Sequence, residues 1–209
     1  GRTRKSETTM RCRSRNTRRA LLCIVPLMVA WTPANPVLTL APQSRLWVDG
    51  TSTMRSFQCK AATLDARIET AGPGAVTRVL AGEKSVSAVE LVVPAEALDC
   101  SNSTMNKHML KALKAEEHRA IVFRLSGYET TKTADGVQGE VTGDLTLGGV
   151  RKAITMKGSA TDGGDGVLRV VGTHEIRMSD YGLKAPTLML GTMKVGDVVK
   201  VSFDLALKE

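Results

Sequence analysis

Ser52 and His174 carry side chains that could serve as a nucleophile and a base. Ser52 lies within Gly-Thr-Ser-Thr, from Gly50 to Thr53. A hydrolase serine sits on a Gly-x-Ser-x-Gly turn and needs a base within hydrogen-bond reach. That turn pattern is missing, and neither His108 nor His174 occurs in a motif that identifies it as the base. Tandem hydroxyls beside a glycine usually make turn hydrogen bonds, so hydrolysis is the weakest function that we consider.

Two further patterns could in principle bind a metal ion or a phosphate, but the sequence explains each of them as part of the fold. His108 and His118 lie on or just after a predicted helix, and no cysteine pair has the spacing of metal ligands. Gly148-Gly149 is followed by neither a helix nor a Lys-Ser/Thr pair, so it indicates a hairpin turn rather than a phosphate loop. We therefore predict no catalytic residue, no metal and no cofactor.

His174 lies on the most informative predicted strand, Val167 to Met178. Apolar and polar residues alternate along this strand, and His174 has the phase of the apolar set. Because alternate side chains of a strand share one face, His174 is expected to point into the protein interior. It is either a buried core histidine or a group that meets the polar end of a ligand.

The positive charge of the chain is concentrated before residue 35. The formal net charge is +8, and residues 1–34 hold eight arginines and lysines against Glu7 alone. Nucleic-acid binding needs a basic surface on the folded domain. The rest of the sequence is close to neutral, so we predict no nucleic-acid partner.

The basic stretch precedes an apolar segment from Ala20 to Trp31. A bilayer-spanning helix needs about 20 apolar residues, so this segment is too short to span and is typical of a secretory signal peptide. Cleavage is expected after Ala34 or near Ala41. We therefore assign residues 1–41 to an N-terminal extension with its signal and residues 42–209 to one domain. The processed protein would be periplasmic or secreted. It would be exported by the general secretory route or, given Arg18-Arg19, by the twin-arginine route.

Export determines how the four cysteines are interpreted. Cys12 and Cys23 would leave with the signal, so that Cys59 and Cys100 remain as a pair in an oxidising compartment. We predict that they form a disulfide, with two buried free thiols as the alternative. Closing a loop of about 40 residues would stabilise the fold by roughly 4 kcal/mol.

Alternating apolar and polar residues continue through most of residues 44–209. The clearest case is a hairpin from Gly139 to Gly158, in which Leu145 and Met156 share the apolar face. After Phe57 the apolar phase slips by one residue, which indicates a β-bulge near Ala62. About eight antiparallel strands with one dry face can close into a barrel that holds packed side chains or one ligand.

One helix interrupts the predicted strands, from Asn102 to about Ala115. Met105 and Met109 belong to an apolar stripe at helical spacing, and lysines face away from it. Ser101, Asn102 and Ser103 are candidate N-caps. The sequence therefore predicts an all-β barrel with one short amphipathic helix.

Methionine content suggests the class of ligand. Seven of the nine methionines follow the predicted signal. Flexible thioethers suit an interior that accepts a hydrocarbon chain, although methionine also fills ordinary gaps in a core. The consecutive Leu188, Met189 and Leu190 either plug one barrel end or line a mouth through which a lipid enters.

Three segments resemble those of a known family. Leu145 to Met156 resembles the "Leu-Thr-Leu" hairpin of the YceI-like polyisoprenoid-binding family. Met105 to Arg124 is similar to its helix and following strand, with Arg119 at a usual proline position. Met178 to Pro186 resembles its aspartate-aromatic-glycine segment. The resemblance implies a secreted, lipocalin-like eight-stranded antiparallel β-barrel whose apolar pocket holds an isoprenoid or other long-chain lipid, without catalysis.

The leading hypothesis is a periplasmic lipid-binding barrel that contacts a membrane surface transiently; the sequence does not define an oligomeric state. An alternative is a filled barrel that acts as an exported stress or interaction protein. The candidate ligand-binding residues share the inward phase or the apolar loop: Phe57, Leu91, Ile121, Phe123, Leu145, Met156, His174, Ile176, Met178, Leu188, Met189 and Phe203.

Overall fold

The part of the chain that the structure describes forms twelve β-strands. The structure is a computed structural model that describes residues 36–188 and 192–209. The strands are β1 (Val37–Leu40), β2 (Arg45–Ser52), β3 (Ser56–Ala61), β4 (Asp65–Thr70), β5 (Val86–Pro94), β6 (Leu98–Asp99), β7 (Ala120–Thr133), β8 (Gly136–Leu147), β9 (Val150–Asp162), β10 (Leu168–Arg177), β11 (Thr187–Leu188) and β12 (Met193–Lys208). Residues 1–35 of the predicted N-terminal extension, together with Met189 and Leu190, lie outside the described residues.

Hydrogen bonding joins these strands into a closed barrel. The ring runs β1, β4, β5, β7, β8, β9, β10 and β12, and it closes because β1 also pairs with β12. β2 follows β1 along β12, and β3 and β6 extend from β2. All these pairings are antiparallel. The predicted all-β, eight-stranded antiparallel barrel is therefore confirmed.

The chain between β3 and β4 explains the phase slip in the sequence. β3 ends at Ala61 and β4 begins at Asp65, so the interruption spans three residues and is longer than the predicted bulge. Ala62 N donates to Ala97 O at 2.7 Å and thereby leaves the barrel ladder. Because of this interruption, the alternation of inward and outward side chains in β4 is shifted relative to that in β3.

The hairpin of β8 and β9 has the predicted turn and facing, and its strands extend beyond the predicted Gly139 and Gly158, to Gly136 and Asp162. Gly148 and Gly149 adopt φ values of 54° and 80°, which a two-residue hairpin turn of this hand requires at both central positions. Val141 pairs with Met156, so these two apolar side chains share one face. This hairpin is the longest continuous piece of wall that sequence alternation alone specified.

Among the described residues, two α-helices cover opposite ends of the barrel. The predicted helix is α2 (Ser103–Ala112), and Asn102 caps it by accepting a hydrogen bond from Met105 N at 2.9 Å. A second helix, α1 (Ala75–Leu80), was not predicted from the sequence. Short 3-10 turns occur at Ala95–Ala97 and Met178–Tyr181. None of the helices in the described part of the chain has the length and apolar character that crossing a membrane requires.

Helix α1 closes one end of the barrel, although its sequence has few of the signals that predict a helix. It has six residues and no side-chain N-cap of its own. Instead, the Glu209 carboxylate accepts from Gly74 N at 3.2 Å and from Val76 N at 3.1 Å. A carboxylate at this position satisfies N–H groups that a helix start leaves unpaired. Glu209, at the far end of the chain, therefore holds the start of α1 in place.

A tight apolar cluster fills the barrel beneath α1. Leu38, Val137 and Leu168 are at most 2% exposed, and Ala75 and Val76 of α1 pack among them. Because successive strands run in opposite directions, α2 and the β8–β9 turn lie at the other end. One end of the barrel is thus packed as a conventional core.

Candidate functional site

A cavity of about 370 Å³ lies inside the barrel. Its walls are formed almost entirely by apolar side chains that alternate inward from the strands, with α2 above them. Ten of the twelve candidate residues line it: Phe57, Leu91, Ile121, Phe123, Leu145, Met156, His174, Ile176, Met178 and Phe203. Leu188 contributes backbone to β11, and Met189 is outside the described residues. Contact of any of these residues with a ligand stays a prediction.

Helix α2 supplies lining residues that were not among the candidates. Met105, His108, Met109 and Leu113 face the cavity from the helix and its C-terminal end. Their signal was visible in the sequence, because the apolar stripe of the helix contains Met105, Met109 and Leu113. What was not visible is that this stripe covers a cavity rather than a filled core.

Strand β12 likewise contributes more of the wall than the single candidate Phe203. Val199, Val201, Leu205 and Leu207 have the same inward phase and also line the cavity. The period-2 alternation of the last strand could have identified all four residues. Of the residues on this face, the sequence-based candidates include Phe203 alone.

The polar side chains along the cavity differ in whether protein groups satisfy them. Tyr128 Oη accepts from Val86 N at 3.0 Å and lies 3.2 Å from Val86 O. Thr130 Oγ1 donates to Gly82 O at 3.0 Å. Within residues 36–188 and 192–209, His174 makes no side-chain hydrogen bond. His174 therefore offers a polar atom to the cavity that no described protein group occupies.

Burial determines the charge state of His174. Desolvation lowers the pKa of its imidazole, and the neighbouring carboxylate of Glu175 raises it by a smaller amount. Since burial penalises the charged form, the imidazole inside the cavity is held neutral at neutral pH. A neutral imidazole can both donate and accept a hydrogen bond, which suits an alcohol or another uncharged polar group.

The lowered pKa of His174 leads to an expected pH dependence of stability. The unfolded chain has a histidine pKa of about 6.5 and thus binds more protons than the folded chain just below that pH. The free energy of unfolding should rise as pH increases through this window, up to about 6.5. Urea unfolding at several pH values between about 5 and 7 should give a smaller slope for His174→Gln than for the wild type. An identical slope for both proteins would contradict the buried, neutral state of His174.

A disulfide joins the barrel wall to the segment that carries α2. Cys59 of β3 and Cys100, just after β6, are bonded, as predicted. Cys100 N also donates to Asn106 Oδ1 at 2.8 Å, and Met109 Sδ lies 3.6 Å from Cys100 Sγ. Both cysteines line the cavity. The disulfide therefore fixes the start of α2 against the barrel and forms part of the cavity wall.

Ser52 is engaged in a turn. Its Oγ accepts from Arg55 N at 3.2 Å and donates to Arg55 O at 2.8 Å, at the connection between β2 and β3. This is the hydrogen-bonding role expected for hydroxyls beside Gly50. Among the residues that the structure describes, no three His, Cys, Asp or Glu side chains are grouped so that they could hold a metal ion.

Comparisons with known proteins agree with this architecture. A family model described as the YceI-like domain matches residues 47–207. The crystal structure of Burkholderia cenocepacia BcnA has a TM-score of 0.61 at 17% identity, covering 78% of this chain and 95% of BcnA. No curated protein matches the sequence.

Two further solved structures share the fold. A polyisoprenoid binding domain from Saccharophagus degradans has a TM-score of 0.61 at 16% identity, with 82% of this chain and 97% of that domain covered. A Campylobacter jejuni YceI protein has a TM-score of 0.53 at 16% identity and covers 95% of this chain and 99% of its own. At such low identity these structures support the fold alone. The match over residues 47–207, on a closed eight-stranded barrel, shows that this chain belongs to the YceI-like domain family.

Proposed function

We propose that this protein is an exported lipid-binding barrel that holds a polyisoprenoid or other long-chain lipid. The observation that carries the proposal is the continuous apolar cavity of about 370 Å³ inside the barrel. Apolar pockets with few polar groups bind hydrophobic ligands, and the polar groups orient them. His174 is the candidate for that orienting role, and no catalytic step is part of the proposal.

Two observations favour lipid binding over a filled barrel. The central cavity is lined by Met105, Met109, Met156 and Met178, whose flexible thioethers adapt to a mobile hydrocarbon. The Saccharophagus degradans domain with the same fold is described as polyisoprenoid binding. An exported stress or interaction protein would not need an open apolar interior.

The disulfide supports the proposed site of action. Bonds of this kind persist in oxidising compartments and are rare in the cytosol. We propose the periplasm or the exterior of the cell, reached by means of the signal in residues 1–41. Of the two proposed cleavage positions, the one after Ala34 retains β1, which closes the barrel, whereas cleavage after Ala41 removes it. We therefore favour processing at Ala34.

Native mass spectrometry of the exported protein, purified with gentle extraction, tests the function. A co-purifying long-chain lipid, or binding of added solanesol, is the expected result. Met156→Trp places a larger side chain in the cavity and should weaken lipid binding by about 5- to 140-fold, because overfilling a fixed space costs on the order of 1–3 kcal/mol.

The matched control is Lys157→Trp, one residue further along β9 on the exposed face. It makes the same replacement outside the cavity and should leave lipid binding unchanged. Two results would each refute the proposal: repeated absence of both co-purified and added lipid, or equal loss of lipid in the two variants.

A further inference from the structure

We propose that Gly50, Gly143 and Gly172 keep the barrel interior open to a hydrocarbon chain, because each makes room for a phenylalanine ring against the wall. The inference rests on the proposed lipid-binding function and adds to it the residues that keep the interior open. The chain has three phenylalanines, and all three line the cavity. Each of them lies over one of these glycines.

The distances leave no space for a side chain at the three positions. A Cβ atom built on Gly50 would lie 2.3 Å from Cζ of Phe57, and its next two neighbours are also atoms of that ring. A Cβ on Gly143 would lie 2.4 Å from Cζ of Phe123 and 2.4 Å from the backbone O of Arg124. At Gly172 the distance to Cζ of Phe203 is likewise 2.4 Å.

The sheet register brings each ring to its glycine. Gly50 pairs directly with Phe57 across β2 and β3, and Gly172 pairs directly with Phe203 across β10 and β12. Phe123 is diagonal to Gly143, whose direct partner on β7 is Leu125. Glycine weakens a strand unless a backbone or a ring needs to approach closely, and cross-strand aromatic cover offsets that cost.

A phenylalanine ring that lies against the barrel wall leaves the centre of the interior open. A Cβ atom on the glycine would force that ring to swing toward the cavity. Each glycine therefore affects the cavity through the position of its phenylalanine ring.

All three phenylalanines line the same cavity of about 370 Å³. The position of each ring therefore sets the room that a hydrocarbon chain has inside the barrel.

The test compares single and double variants of the exported protein with solanesol as the probe. The wild type should bind solanesol. Gly50→Ala should weaken solanesol binding about tenfold, because overfilling a fixed interior carries a cost of that order. Gly50→Ala combined with Phe57→Leu should restore binding, since the ring that was displaced is gone. Gly127→Ala is the matched control, since a Cβ on this strand glycine would have no atom within 4 Å.

The outcomes separate this inference from the proposed function. If the wild type does not bind solanesol, the lipid-binding function fails. If the wild type binds solanesol and Gly50→Ala binds it as well as Gly127→Ala does, the role of the glycines is overturned. Should Gly50→Ala fail to fold, the double variant decides: folding and binding like Phe57→Leu alone support the ring contact, and failure to fold overturns it.

Discussion

A chain shortened to begin at Pro42 is expected to lose the closed barrel. The residues removed include β1, which pairs with β4 on one side and with β12 on the other. Without β1 two strand edges become unpaired, and exposed edges promote association with other chains. Leu38, only 1% exposed within the filled end, would be lost from the core as well. Removal of a buried leucine side chain alone costs about 2–5 kcal/mol.

Urea unfolding and size-exclusion chromatography measure this effect. The free energy of unfolding of the shortened chain should fall by more than about 4 kcal/mol, with aggregation at concentrations where the longer chain is dispersed. A chain that begins at Asn35 is the matched control and should behave as the exported protein does. Leu38→Ala separates the two contributions, because it retains the β1 backbone and loses only the side chain. Equal unfolding midpoints for chains that begin at Asn35 and Pro42 would contradict a closing role for β1.

N-terminal sequencing of the exported protein links this result to processing. A mature N-terminus before Pro36 is expected, because cleavage near Ala41 would remove the strand that closes the barrel. An exported, folded protein that begins at Pro42 would refute both the processing site and the role of β1.

Replacing both cysteines by alanine is expected to give the second large effect. Cys59 and Cys100 are separated by 41 residues, and a disulfide that closes a loop of that size stabilises a fold by about 4 kcal/mol. Both side chains are buried, so alanine leaves no polar group unsatisfied there. The free energy of unfolding of the double variant should fall by about 2–5 kcal/mol.

Two controls distinguish loss of the disulfide from loss of side-chain packing. Unfolding of the wild type in the presence of reductant removes the bond and keeps both sulfur atoms in place. Reductant should leave the unfolding midpoint of the double variant unchanged. It should lower the unfolding midpoint of the wild type toward that of the double variant. A wild-type midpoint that reductant leaves unchanged, or two reactive thiols in the unreduced, denatured protein, would contradict a stabilising disulfide.

Features that depend on local periodicity could be predicted from the sequence. The inward phase of β10 and the hairpin of β8 and β9 follow from alternation, because successive side chains of a strand point to opposite faces. The Asn102 cap and the start of α2 follow from contacts within four residues. The pairing of Cys59 with Cys100 followed from elimination, since the other two cysteines belong to the predicted signal.

Features that depend on distant contacts could not be predicted. Helix α1 has only six residues, and its N-terminal N–H groups are satisfied by Glu209 at the other end of the chain. β1 lies in a segment assigned by sequence to the N-terminal extension, and its role is defined by partners on β4 and β12. Neither element has enough local signal to be recognised, because isolated short helices and strands are marginal without tertiary packing.

The candidate site also has features that the sequence predicts and features that depend on distant contacts. Alternation specified which side chains face inward, including His174 and the three phenylalanines. Whether those side chains meet in a filled core or leave a cavity was decided only by the tertiary structure. The reason is that free volume depends on how distant groups fit together: Phe203 lies over Gly172, and Phe123 over Gly143. The sequence by itself thus determined the face of each strand, and barrel closure determined the space that those faces enclose.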